Sequence, residues 1–596
     1  MKIWKRYAII ITLVACVTLY VTYIAFKHVK LKYGGRKYSG SGSIFSDSVE
    51  FNRNPKAIFY DLYAHSPFYE ILKDTVLSKL TDYRIKEILN NPAYPQIEEL
   101  HTQSRIDVLL SDLLPVNRPI PDSRPPGCSS LSYPTDLPTV SVVIPFHNEW
   151  PSVILRTVYS LVNRSPPHLL NQIILIDDNS NLPSLQAHFQ EVLEKHFPGN
   201  LVTLRRLHVR SGLVRARLEG LKLVTSDTVT FLDSHMEVNE GWLPPLLAQI
   251  HKDRKTVAMA QLDYINKDTL AYEYDYGYKT RYGFDWKMLF FETYFRADQL
   301  RGKTETDPLP GVVMVGPGAV IDVQYFKEIG AYDPDMMIWG GENLELPWRV
   351  WLCGGRMLHV PCSRVGHIAR TQPYHFPHGR QATENRNYKR AVEVWMDGYK
   401  EYVYEANPEI KTADAGDLTE RLALKERLQC RPFRWFLENV WPELLVYKEY
   451  NTAWGYVENT ADDQHRCLDN NGYLFSLGAP LVAAPCAYKL SLSEAATRET
   501  ATRQTFALTR DRRFRSLLQC IQVKGSFFSD KMATMVGCYE DEKETWTHDG
   551  PGLLKHDLTG LCLEISREGG LRMSECDVTS QRQHWVFHVY NPAGNQ

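Results

Sequence analysis

"TVSVVIPF", residues 139–146, is a continuous apolar and β-branched run, the pattern of a parallel strand covered on both faces. Directly after it, "PSVILRTVYSLV" (151–162) repeats its apolar residues at helical spacing and offers Pro151 for a first turn. The alternation continues through "QIILID" (172–177), "LPSLQAHFQEVLEKHF" (182–197), "LVTLRRL" (201–207), "GLVRARLEGLKLV" (212–224) and "TVTFLD" (228–233). Strands separated by helices in this order predict an open, doubly wound α/β sheet. In such sheets ligands bind beyond the carboxyl ends of the strands. Asp177, Asp178 and the stretch "FLDSHMEVN" (231–239) fall at such ends.

That last strand runs into Asp233-Ser234-His235. If the extended conformation persists past the strand, positions i and i+2 share a face, and Asp233 and His235 point together into the crevice. One carboxylate oxygen and one imidazole nitrogen suit Mn2+ or a similar divalent ion, with room left for phosphate oxygens. The alternative is an Asp233 that caps the next turn beside a packed His235. Position at a strand end, downstream of three strand-helix units, favours the metal.

The rest of the chain sets the context. At 596 residues, 44% hydrophobic and 23% charged, it is long enough for several domains. A formal net charge of -2 gives no electrostatic reason to expect nucleic acid as a partner. Residues 8–26, "AIIITLVACVTLYVTYIAF", carry no charge and as a helix would span roughly 28 Å. A cleavable signal peptide is the rival reading. The length of the run, and the lack of a small-x-small cleavage site after it, favour an uncleaved signal-anchor. Lysines and arginines flank both ends, so charge alone does not orient it. The cysteines do. Of eleven, Cys16 lies in the apolar run and the others lie at or beyond Cys128. An even ten suits five disulfides in an oxidising lumen, against the alternative of buried free thiols. The expected organisation is a cytosolic tail (1–7), a single transmembrane helix (8–26) and a Gly/Ser-rich stem (27–115). A catalytic α/β domain (116–440) follows. From about 455 come three β-rich units, beginning "CLDNNG", "LQCIQV" and "LCLEIS" and ending in "QTF", "ETW" and "QHW". Such a threefold array, extending to about 590, pools a core that no unit could bury alone.

"FHNEWPSVILRTVYSL", "IILIDDNS", "FLDSH", "GFDW", "WGGENLE", "CGG" and "SRVGHIAR" occur in this order between 146 and 370. Together they resemble the polypeptide N-acetylgalactosaminyltransferases, Golgi enzymes that start mucin-type O-glycosylation. The C-terminal repeats resemble that family's ricin-type β-trefoil lectin domain. The resemblance implies a GT-A fold (Rossmann-like), UDP-GalNAc as donor, Mn2+ as cofactor and a peptide or glycopeptide Ser/Thr as acceptor. It also implies retention of anomeric configuration and a single-pass type II Golgi membrane protein whose catalytic domain is lumenal. Asp233, His235 and His367 match the family's metal ligands. Asp178, Arg210 and Ser234 match nucleotide-sugar contacts, and Pro145 replaces a small residue near the uridine. Trp339 and Arg370 match residues closing over the diphosphate, Tyr374 belongs to the same loop, and Glu342 matches an acidic residue near the reacting sugar. The implied disulfides are Cys128–Cys362, Cys353–Cys430, Cys467–Cys486, Cys520–Cys538 and Cys562–Cys576.

Several positions depart from the family pattern. Pro317 in "VGPGAV" stands where the family has a glycine in the sugar pocket. Ala369 replaces a Phe, which would enlarge the acceptor side, and "ARTQPYHF" is about one residue short. In the lectin repeats only the first keeps "CLD", making Asp469 the expected, weak sugar acceptor. A catalytically silent member that binds glycopeptides or partner proteins is the alternative reading.

Overall fold

β1 (Val140–Phe146) is buried at all seven positions, as its unbroken apolar run requires. It pairs in parallel with β2 (Leu170–Asp177) on one side and β4 (Thr228–Phe231) on the other, and β2 pairs in parallel with β3 (Val202–Arg206). Helices Pro151–Arg164, Ala187–His196 and Leu213–Leu221 connect these strands. Beyond β4 the sheet becomes mixed. The remaining members are β5 (Met236–Val238), β6 (Thr256–Ile265), β7 (Tyr272–Glu273), a separate hairpin of β8 (Thr280–Phe284) with β9 (Phe290–Tyr294), then β10 (Leu309–Pro310), β11 (Ala319–Asp322) and β12 (Arg356–Ile368). The order is β10-β12-β6-β11-β4-β1-β2-β3, with β5 on β12 and β7 on β6. β11 runs antiparallel to both β4 and β6. The doubly wound half that the alternation predicts is therefore extended by a mixed half it did not specify.

The computed structural model describes residues 94–591 apart from 275–279, 460, 462–464, 473–477, 490–499, 526–530, 539–543 and 567–568. The expected anchor at 8–26 and the stem up to residue 93 lie outside these. Among the described residues no helix is long and apolar enough to cross a membrane. The described part of the expected stem is folded onto the sheet's first helix. Ser111 and Ser152 share a 2.7 Å hydrogen bond, Arg156 donates to Ser111 O at 2.6 Å, and Trp150 Nε1 donates to Asp112 Oδ1 at 2.8 Å.

The C-terminal units share one apolar cluster containing Phe506, Trp546 and Trp585, all fully buried. Trp546 Nε1 donates to Ile521 O and Trp585 Nε1 to Leu563 O, each at 2.8 Å, which satisfies the buried indole N–H of the second and third units. The first strand, Asn451–Asn459, pairs with the last, His584–Tyr590, and so closes the array. Five disulfides are formed: Cys128–Cys362, Cys353–Cys430, Cys467–Cys486, Cys520–Cys538 and Cys562–Cys576.

Candidate active site

The extended conformation does not persist past β4. The strand ends at Phe231, and Ser234-His235 form a turn before β5 begins at Met236. Asp233 and His235 are thus brought together by a turn, not by strand alternation. β5 then pairs antiparallel with β12, setting His367 opposite Met236, and Ile368 N donates to His235 O at 3.2 Å. This pairing delivers the third side chain. One ligand atom each from Asp233, His235 and His367 lie within 4.8 Å of one another. His367 Nε2 sits 3.4 Å from Asp233 Oδ2; it is buried and makes no hydrogen bond among the described residues. An orphaned imidazole nitrogen beside a carboxylate and a second imidazole is a donor set that fits Mn2+. Burial acts against ionisation of Asp233, but the His367 contact, His235 and Arg217 prevail and hold its carboxyl well below the usual range.

Behind this cluster lies Glu149, to which the sequence reading gave no role. Its side chain is buried, and Oε2 accepts from His235 Nδ1 at 2.8 Å, from Ser234 Oγ at 3.1 Å and from Arg370. Oε1 accepts from Trp150 N at 2.9 Å. Burial would raise its pKa, but the Arg370 guanidinium and the His235 bond hold it at about 2. An ionised carboxylate only accepts, so His235 carries its proton on Nδ1 and leaves Nε2 free to ligate, the usual carboxylate–histidine arrangement behind a metal. Arg370 also donates to Ser104 O, capping the helix Tyr94–Ser104 at its carbonyl end.

On the β2 side, Asp178 accepts from Arg210 Nε at 2.9 Å, Ser211 N at 2.6 Å and Gly212 N at 2.8 Å. Gly212 has φ +87°, and a Cβ there would lie 2.4 Å from Ile338 Cα. Only glycine permits that approach, which joins the Asp178 loop to the Trp339 segment. Arg210 lies 4.9 Å over the Tyr374 ring. Pro145 costs β1 no ladder bond: residues 143 and 145 face β4, but that pairing ends at Val143↔Phe231.

The helix Glu342–Leu352 begins behind Gly341 (φ +91°). Burial raises the pKa of Glu342, and its Oε2 has no hydrogen-bond partner among the described residues. Arg217, 1% exposed, stands 3.5 Å from Glu342 Oε1 and 3.6 Å from Asp233 Oδ1. It too escaped the sequence reading. The available signal was its place on the stripe Val214-Arg217-Leu221, all buried, where an arginine is out of character.

Pro145, Asp178, Arg210, Asp233, Ser234, His235, Pro317, Trp339, Glu342, His367, Arg370 and Tyr374 all line one cleft of about 470 Å³, a size ordinary for small-ligand sites. Ala369 does not line it; its side chain is exposed. The expected enlargement of the acceptor side therefore has no counterpart in the cleft. Asp469 of the C-terminal domain is 1% exposed, and its carboxylate is engaged by Asn471 N at 2.6 Å and Gln504 Nε2 at 3.2 Å.

Comparison with known proteins accords with this geometry. Residues 141–329 match the glycosyl transferase family 2 model, and 453–585 match the ricin-type beta-trefoil lectin domain. Human polypeptide N-acetylgalactosaminyltransferase 10 is 35% identical over 547 residues, covering 86% of this chain and 87% of its own. The chain belongs to the polypeptide N-acetylgalactosaminyltransferases. Human polypeptide N-acetylgalactosaminyltransferase 13 is 43% identical over 384 residues, 63% of this chain and 67% of that protein. A crystal structure of GalNAc-T7 with UDP, GalNAc and Mn2+ matches with TM-score 0.57 at 30% identity, covering 84% of this chain and 91% of that one. The fold is thus a GT-A catalytic domain followed by a β-trefoil.

Proposed function

We propose that this transferase moves N-acetylgalactosamine from UDP-GalNAc to Ser/Thr hydroxyls of polypeptides, with retention of configuration and dependence on Mn2+. The observation that carries the reading is the convergence of Asp233, His235 and His367 in the same cleft as Arg370 and the Arg217–Glu342 pair. The same convergence weighs against the silent alternative. Asp233, His235 through Nε2 and His367 through Nε2 would hold the metal, which supplies positive charge where the diphosphate leaves. Arg370, on the same wall, offers a guanidinium to the charge that builds on the leaving UDP. Asp178 and Arg210 form the nucleotide end, with Ser234 beside the metal ligands. Glu342, which lines the cleft and whose buried Oε2 has no partner among the described residues, would accept from a sugar hydroxyl. Arg217 lies between Glu342 and Asp233 and keeps two buried carboxylates from repelling one another. Trp339 and Tyr374 close the cleft from opposite lips.

The same reading places residues 1–7 in the cytosol, 8–26 in a Golgi membrane, 27–115 as stem, and 116–440 and 455–590 as lumenal catalytic and lectin domains. Five formed disulfides support an oxidising compartment. The test is transfer from UDP-GalNAc and other UDP-sugars to a Ser/Thr peptide and glycopeptide library, with and without Mn2+. Metal-dependent GalNAc transfer is expected. A folded protein inert on every combination overturns the proposal.

A further inference from the structure

Residues 369–379, between β12 and the helix Arg380–Trp395, form no regular structure, yet they line the cleft through Arg370, Gln372, Pro373 and Tyr374. Two arginines hold this loop by its rings. Arg210 covers Tyr374, as above, and Arg380 lies 5.9 Å from the centre of the Phe376 ring. The same guanidinium lies 5.2 Å over the Trp339 ring on the opposite lip. Both distances are within reach of cation–π attraction, which acts out to about 6 Å. Arg380 Nε donates to Glu384 Oε1 at 2.7 Å, one turn along the helix, which orients the planar group.

The two lips differ in what else fixes them. Asn387, fully buried on the same helix, donates to Met337 O, Trp339 O and Gly340 O at 2.8, 3.1 and 2.8 Å and accepts from Met337 N at 2.8 Å. The Trp339 lip is therefore bolted down through its backbone. The Phe376 end of the loop is held by ring contacts, with one turn bond from Gly379 N to Phe376 O at 2.9 Å where it enters the helix.

We infer that Arg380 is a positioning residue of the transfer reaction: its guanidinium, lying against both Trp339 and Phe376, keeps loop 369–379 closed over the donor. The inference rests on the transferase reading above. Tyr374 meets the donor only while this loop is closed, whereas Arg370 is held separately by Glu149 and Ser104 O, so opening the loop lowers apparent donor affinity by the fraction of molecules left competent. The chemistry after closure is untouched. A lysine keeps the charge but not the flat, weakly hydrated face that stacks on rings.

The test uses the full chain, with Arg380→Ala, Arg380→Lys and Glu384→Gln variants. Amide hydrogen exchange is followed with and without UDP and Mn2+, alongside donor KM and kcat. For Arg380→Ala, residues 369–379 should exchange faster while 337–341, held by Asn387, stay unchanged. Donor KM should rise about five- to tenfold, with kcat altered by less than about twofold. Arg380→Lys should fall between, and Glu384→Gln, which weakens the contact that orients Arg380, should move both readouts the same way by less than Arg380→Ala. Unchanged exchange in 369–379, or faster exchange with unchanged donor KM, overturns the inference. If the wild-type chain transfers nothing, the transferase reading fails on its own evidence, and the exchange data still decide whether Arg380 closes the loop.

Discussion

Replacing Glu149 by Gln tests the support behind the metal ligands with the smallest change of shape. Its two oxygens do different jobs: Oε2 collects His235 Nδ1, Ser234 Oγ and Arg370, while Oε1 takes Trp150 N. An amide has one oxygen and one NH2 group. In either orientation its NH2 faces a donor, so the isosteric change leaves a buried donor–donor conflict. Arg370, only 5% exposed, also loses its anionic partner. Breaking a buried pair of this kind costs about 3–5 kcal/mol, which a domain of ordinary stability survives. With His235 no longer held in one tautomer, metal affinity should fall about 10- to 100-fold. Manganese titration by calorimetry or electron paramagnetic resonance, with circular dichroism to confirm folding, measures both effects. The pH dependence has a definite sign. Glu149 has a folded-state pKa of about 2 against an ordinary 4.5, so its contribution to the metal-free protein is present above pH 4.5 and disappears between there and about 2. Glu149→Gln should lack that acid limb. Wild-type manganese affinity in the folded variant would refute the reasoning.

Asp233→Ala should lower manganese affinity by more than about 100-fold, beyond the effect of losing a supporting residue, and abolish turnover without unfolding the chain; normal activity would sink the metal assignment. Asp285→Asn should stabilise the protein. Lys287 N and Leu289 N both donate to Oδ1, so the amide keeps both bonds, while burial raises the carboxyl from 3.8 to about 6. A raised acid loses stability as pH climbs from 3.8 through 6. The variant should therefore gain about 1–3 kcal/mol near neutrality and nothing near pH 4, and a lower melting temperature at neutral pH would count against this. Pro317→Gly should change donor KM, because Pro317 lines the cleft between Gly316 and Gly318, both with positive φ. Ala369→Phe, at an exposed position outside that lining, should leave acceptor preference alone; a shift toward plain Thr peptides would show that the acceptor reaches further than the cleft.

How far the sequence could be read depended on the range of the contacts involved. β1 to β4 and their helices were legible because each is a local periodicity, and parallel pairing follows from the crossovers. The mixed half was not, because β11 inserts between β4 and β6 with Ala319 paired to both Phe231 and Met259, far back along the chain, and no local pattern encodes such a register. The candidate metal ligands show the same division. Asp233 and His235 were singled out for sharing a strand face, yet they meet across a turn, and His367 arrives only through the pairing of β5 with β12. The two side chains do converge, but alternation is not what brings them together. Resemblance supplied His367, since nothing near it in sequence distinguishes it from any other histidine. Glu149 and Arg217 were missed for a further reason: a charge is ordinarily read as solvated, and each is buried by distant partners. Arg217 could have been suspected from its apolar stripe. Glu149 could not, because its role exists only where the ends of β1, β4 and β12 and the helix Tyr94–Ser104 converge.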